Sequence, residues 1–173
     1  MTWIYCEEWN ELTERPMGPL TVAEAQARHV GGELYTAILY TEDEPHPELR
    51  VEVRWETDYA AVIFMDELAR DALDYTFSVI DGSLFLEEVT IYDYGDAKER
   101  GGYASAERVE TYTFAPDGVG TRTVDVDDEV TEESRDGLDV SLHWEPVPEF
   151  GAYDSLIRRD RDRPWGAVRR SGG

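Results

Sequence analysis

The sequence predicts an α+β, mainly β fold: a curved antiparallel sheet or open barrel of about seven or eight strands with one short N-terminal helix. Three observations predict it. From residue 33 onward apolar residues recur with a period of two. Compact turn signals, Asp81-Gly82 and "APDGVG", separate the runs. Only one stretch, "TVAEAQARHV", carries a helical pattern with caps at both ends.

In that stretch Thr21 is placed to cap the helix and Glu24, three residues on, to complete a capping box. Gly31 and Gly32 then stop it. "ELYTAILYT" (33–41) follows as a strand that is apolar on both faces and therefore central. In "LRVEVRWE" (49–56), Val51, Val53 and Trp55 share one face and Arg50, Glu52, Arg54 and Glu56 the other. "DYAAVIFM" (58–65) is the next strand, and "DELARDAL" (66–73) reads as one or two helical turns. "DYTFSVI" (74–80) turns at Asp81-Gly82 into "SLFLEEVTIYDY". "ERVETYTF" (107–114) and "TRTVDV" (121–126) form a second hairpin. "LDVSLHW" (138–144) closes the series with Leu138, Val140, Leu142 and Trp144 on one side, which leaves His143 pointing to solvent or a partner. In 145–157, Pro146 and Pro148 stiffen an extended path that carries Phe150, Tyr153, Leu156 and Ile157 back to the open end of the core.

With 173 residues the chain suits one well-filled core. We divide it into a domain over 1–157 and an arginine-rich segment over 158–173. No apolar run approaches the roughly 20 residues of a membrane helix, and the N-terminus lacks the pattern of a secretory signal. The expected location is the cytoplasm, with no membrane contact. Net charge is −23, from 39 acids and 16 bases. Because 158–173 holds six arginines and two aspartates, the rest of the chain carries −27 (−23 less +4). Such a body repels nucleic acid and attracts cationic proteins. Scarce lysine with abundant acid is also a style of GC-rich or salt-adapted genomes, and that reading competes with any acidic-surface function.

The stretches "GELYTAILYTEDEPHPELRVEVRW" and "LHWEPVPEFGAYDSL", with the opening "CEEWNELTERPMGPLTVAEAQARHV", resemble a group of small acidic proteins of actinobacteria over residues 1 to about 160. The resemblance implies a compact bacterial cytoplasmic domain and carries no activity, cofactor or catalytic residue with it.

The densest acidic stretch, "VDVDDEVTEESRDGLDV" (124–140), holds eight carboxylates and one arginine. It is not an EF-hand: counted from Asp125, the sixth residue is Val130 where glycine is needed and the twelfth is Asp136 where a bidentate glutamate is needed. A looser cation site from Asp125, Asp127, Asp128 and Glu129 is the weaker reading beside a solvated hairpin loop. His29, His46 and His143 form no i, i+4 pair, so no metal is expected. Nor does any nucleophile elbow, phosphate loop or dinucleotide fingerprint occur. Cys6 with His143 and Asn10 makes a triad only on paper, and a buried thiol is the better reading of Cys6. No cofactor is expected. If the sheet closed into a barrel, Trp55, Tyr75, Tyr112, His143 and Trp144 could line a pocket, although aromatics at strand spacing are usually the core itself.

The leading functional expectation is therefore an acidic interaction module of the immunity or inhibitor type that binds a basic protein, rather than an enzyme. Its contact residues would be Asp125, Asp127, Asp128, Glu129, Glu132, Glu133 and Asp136, with Glu42, Asp43 and Glu44 in a second loop. The alternatives are a ligand-binding or enzymatic β-barrel, a subunit locked into a homo-oligomer or larger assembly through 145–173, and a DNA-mimic inhibitor, against which the arginine segment counts.

Overall fold

In a computed structural model, residues 1–10, 13, 15–41, 46–97, 105–161 and 165 are described. Glu42, Asp43 and Glu44 lie outside them. Eleven strands form one open antiparallel sheet: β1 (Thr2–Asn10), β2 (Arg15–Leu20), β3 (Tyr35–Tyr40), β4 (Leu49–Arg54), β5 (Tyr59–Met65), β6 (Asp71–Ile80), β7 (Ser83–Asp93), β8 (Arg108–Phe114), β9 (Gly120–Val126), β10 (Glu129–Arg135) and β11 (Trp144–Pro146). Their order is β10-β9-β8-β7-β6-β5-β4-β3-β1-β2, with β11 paired to one end of β7. The single α-helix among the described residues, α1 (Val22–Gly31), joins β2 to β3.

The count exceeds the expected seven or eight for physical reasons. β1 alternates poorly, and β2 contains Pro16 and Pro19, so neither carries a strand signal of its own. β10 is exposed throughout except at Arg135, and glutamates dominate it; pairing with β9, not propensity, makes it a strand. It replaces the solvated loop expected there. Residues 66–70 form a turn, with the Asp66 carboxylate accepting from the backbone N–H groups of Leu68 (2.8 Å) and Arg70 (2.9 Å), and β6 begins at Asp71. The helical turns expected over 66–73 are thus corrected to a turn and a strand.

α1 follows its local signals. Glu24 N–H donates to Thr21 Oγ1 at 3.3 Å, and Thr21 N–H donates to the Glu24 carboxylate at 2.8 Å. The helix stops at Gly32, whose φ of +79° favours glycine and where a β-carbon would lie 3.0 Å from the Glu56 nitrogen.

Register sorts the sheet residues onto two faces. On one, Ala37, Val51, Val62, Tyr75, Val89 and Tyr112 stand in a row across β3 to β8. Rows on either side add Tyr35, Val53, Ala60 and Phe77, and Leu39, Leu49, Phe64 and Leu73. Ala25 of α1 closes this core with Val140, Tyr153 and Leu156 from beyond β10. The 145–157 segment thus caps the core. Of the arginine-rich segment, Arg158 pairs with Glu145 at 3.1 Å, Arg161 pairs with the same carboxylate, and Trp165 packs on Tyr112 with ring centroids 5.7 Å apart.

The expected strand over 138–144 is instead an irregular segment with one turn of 3-10 helix, Ser141–His143, before β11. Gly118 holds its start: at φ +84° its α-carbon sits where a β-carbon would lie 2.7 Å from the Leu138 carbonyl oxygen, and Leu138 N–H donates to Gly118 O at 2.9 Å. The turn exposes Leu142 and swings His143 inward, opposite to expectation. His143 Nδ1 donates to the Leu86 carbonyl at 3.1 Å, and Phe114 meets the ring edge-on.

A second histidine joins a buried polar chain. Trp55 Nε1 donates to His29 Nδ1 at 3.2 Å, Tyr35 Oη lies 3.0 Å from that nitrogen, and Tyr153 Oη lies 2.9 Å from Tyr35 Oη. Indole only donates, so His29 Nδ1 must be unprotonated. Burial lowers the pKa of both His29 and His143. The unfolded chain therefore takes up protons near an ordinary value of about 6.5 that the folded chain resists, so stability falls as pH drops from about 7. Thermal melts are expected to show a lower Tm at pH 5.5 than at pH 7, and the double variant His29→Gln, His143→Gln should lose most of that slope. An unchanged slope would show that other groups set it.

Candidate functional site

The β9–β10 hairpin gathers most of the acidic candidates. Asp127 and Asp128 form its two-residue turn, both at positive φ (53° and 64°), a conformation that aspartate tolerates and that matches the twist of the flanking strands. Asp125 precedes the turn, Glu129, Glu132 and Glu133 follow it on β10, and Asp136 lies just past the strand; all are exposed. Glu133 pairs with Arg135 at 2.8 Å. β10 is one of the two ends of the sheet, so among the described residues no strand pairs with its outer side, and it contains no proline. The other end, β2, is blunted by Pro16 and Pro19, which cannot donate to a further ladder.

Behind the hairpin, on the core side of the sheet, Glu110 anchors the far strands. It accepts from Tyr112 Oη (2.7 Å), Arg122 Nη2 (2.8 Å) and Arg108 Nη2 (2.6 Å). Burial opposes its charge, but these three donors hold its carboxyl at about 2.

The opposite face of the sheet holds a polar pocket of about 230 Å3. Two register rows build its floor: Glu52, Ala61 and Thr76 in one, Arg50, Ile63 and Asp74 in the other. Tyr59, Asp71 and Tyr92 complete the lining. Arg50, with 3% of its side chain exposed, donates to both carboxylate oxygens of Asp71 at 2.8 and 3.1 Å, and Trp9 covers its guanidinium at 5.5 Å. Tyr59 Oη donates to Glu52 at 3.4 Å and Tyr92 Oη to Asp74 at 3.0 Å. Tyr94 Oη donates to the Asp71 carbonyl at 2.8 Å. Burial, reinforced by the neighbouring carboxylates, pushes Tyr59 and Tyr92 far above the ordinary phenol value, so both remain donors at physiological pH.

No protein-family model, curated protein or solved structure matches the chain.

The aromatic set proposed from sequence is not brought together. Tyr75 is fully buried core, Tyr112 is 8% exposed and covered by Trp165, Trp55 packs beside His29, and Trp144 lies on β11 with 36% of its surface exposed. His143 packs against Phe85 and Phe114. None of the five lines the polar pocket. They spread because the sheet stays open, so strands distant in its order do not curl round to face each other. Cys6 is buried on β1, and burial raises its thiol to about 11, so it is a neutral thiol at pH 7. Four strands separate β1 from β7, so His143, packed on β7 and β8, is about 24 Å from β1 measured along the sheet. That distance removes the paper triad.

Among the described residues, no group of three or more His, Cys, Asp or Glu is arranged to hold a metal ion. No helix among the described residues is long and apolar enough to cross a membrane.

Proposed function

We propose that the protein is an interaction module of the immunity or inhibitor type that docks a basic protein along β10. The asymmetry of the two sheet ends carries this reading: one end is closed by proline, and the other is a full-length, exposed, acidic strand. An unpaired strand offers main-chain hydrogen bonds to an added strand, and the flanking side chains set which strand is accepted. Full-length antiparallel pairing with a second copy would set Glu132 against Glu132 but Glu129 against Arg135, whereas a lysine- or arginine-bearing strand would meet Glu129, Glu132 and Glu133 with opposite charge. The acids thus favour a basic partner. The −27 carried outside 158–173 adds a long-range field that speeds such an encounter.

The test is capture of a basic partner from native lysate, with washes at about 0.1 M and about 0.5 M salt to span weak and strong screening. Retention at low salt, release at high salt and loss of capture by the triple variant Glu129→Gln, Glu132→Gln, Glu133→Gln are expected. Equal capture by the triple variant would sink the assignment to β10, and no basic protein captured would sink the reading itself.

A further inference from the structure

We propose that His29 is a proton-operated latch: its neutral ring holds the turn at 149–153 down on the sheet, and protonation lets that turn lift. α1 packs on β1, β2 and β3, far along the sheet from β10, so the latch is independent of the docking reading. Four separate pieces of the chain meet at the ring. His29 lies in the last turn of α1, Trp55 in the 3-10 turn after β4, Tyr35 on β3, and Phe150 and Tyr153 in the segment that caps the core. Phe150 meets the imidazole edge-on with centroids 5.8 Å apart, and Tyr153 reaches it through the Tyr35 hydroxyl. Tyr5 touches Phe150 and Trp3 touches Tyr153, each pair with centroids 5.2 Å apart, so the turn is seated on aromatic rings.

The direction of one hydrogen bond makes the ring a switch. An indole nitrogen only donates, so Trp55 needs the lone pair of His29 Nδ1, 3.2 Å away. A proton on Nδ1 sets N–H against N–H at that distance and leaves the Trp55 donor without its acceptor. The Tyr35 hydroxyl, 3.0 Å from the same nitrogen, must then turn from donor to acceptor. The cation has a better place outward: His29 is only half-buried, and the last turn of a helix favours positive charge. Moving there takes the ring away from Phe150. His143 is no such device, because its Nδ1 donates to the Leu86 carbonyl in either charge state.

The charged groups around the ring are engaged elsewhere. On α1 itself, Arg28 is held by Glu7 and the Leu34 carbonyl, with Glu33 4.0 Å away. Beside Trp55, Glu56 pairs with Arg54 at 2.8 Å. β2 offers only Arg15, and the 149–157 stretch only Glu149 and Asp154, all three exposed. The phenols of Tyr5, Tyr35, Tyr40 and Tyr153 are raised by burial and stay neutral. Burial is what lowers the pKa of His29 itself. The closed form therefore resists a proton that the open form accepts near the ordinary value of about 6.5, so closure is favoured above that pH and weakens below it.

Two-dimensional NMR of the whole chain across this pH range tests the latch. Solvent exchange is followed at the Trp55 indole N–H and at the Ala152 amide, which donates to Glu149 O at 3.0 Å, and is divided by the intrinsic rate at each pH. With an open-state value of about 6.5, opening is expected to grow severalfold from about pH 6.5 to about pH 5.5, with a ceiling of about fivefold. Amides of β5 should keep their protection, which separates lifting of the turn from unfolding of the sheet. His29→Gln offers Trp55 an uncharged acceptor and should flatten the profile, whereas His143→Gln should leave it unchanged. If His29→Gln does not fold, Trp55→Phe gives a second reading: with the donor gone, the protonated ring is tolerated and the His29 titration should move to higher pH. Equal growth in His29→Gln, no growth while His29 titrates, an unmoved titration in Trp55→Phe, or loss of β5 protection in step would overturn the proposal.

Discussion

Truncating Leu156 to alanine is expected to lower the unfolding free energy by about 2–5 kcal/mol, whereas Leu142→Ala should change it by less than about 0.5 kcal/mol. The two leucines lie 14 residues apart in one chain segment that lacks long regular elements (156 − 142 = 14). Leu156 is wholly buried in the core that the sheet alone leaves open, and Leu142 is 65% exposed at the 3-10 turn. Removing three carbons at 156 forfeits transfer free energy and leaves a void that neighbouring strands, tied by their ladders, cannot close fully. Chemical denaturation of both variants checks the contrast. Equal effects would place the segment's packing elsewhere.

Arg50→Met should cost about 3–5 kcal/mol, although Arg50 lies on the sheet face opposite the main hydrophobic cluster. The variant strips the guanidinium from Asp71, only 11% of whose side chain is exposed, and leaves that carboxylate in a poorly hydrated place. The loss measures an uncompensated charge rather than the worth of the ion pair. Asp71→Asn introduced into the Arg50→Met background is therefore expected to recover part of the stability. If the double variant is as unstable as the sum of the two single variants, the residues act independently and the coupling argument fails.

Local chemistry explains which parts of this fold were legible in the sequence. α1 could be read because Thr21, Glu24 and Gly32 act within one turn of each other. The β6–β7 hairpin could be read because Asp81 and Gly82 take positive φ in a two-residue loop. β10 could not, since its strand character comes from β9 and, Arg135 apart, its side chains are glutamates, threonine, valine and serine facing water. His143 was misplaced because one turn of 3-10 helix breaks the alternation from which its outward direction followed.

The acidic hairpin residues were visible as candidates by density alone. The polar pocket was not. Arg50 and Asp71 are 21 residues apart and meet only through the pairing of β4, β5 and β6. Reading 66–73 as helical also hid that Asp71 belongs to the same strand as Asp74. Polar residues on the second face of an antiparallel sheet carry no mark that separates solvation from enclosure.

The sheet's order has a consequence for how the chain comes into being. From β3 to β10 each strand pairs with its predecessor, so the hairpins can zip in succession as they leave the ribosome. The apolar face they build is completed by Val140, Tyr153 and Leu156, and Tyr153 reaches back 118 residues to Tyr35. At about 5–20 residues per second of synthesis, the nascent sheet waits with that face bare for some seconds. During that interval the growing chain is a client for chaperones, and its many acids keep neighbouring nascent copies apart until the seal arrives.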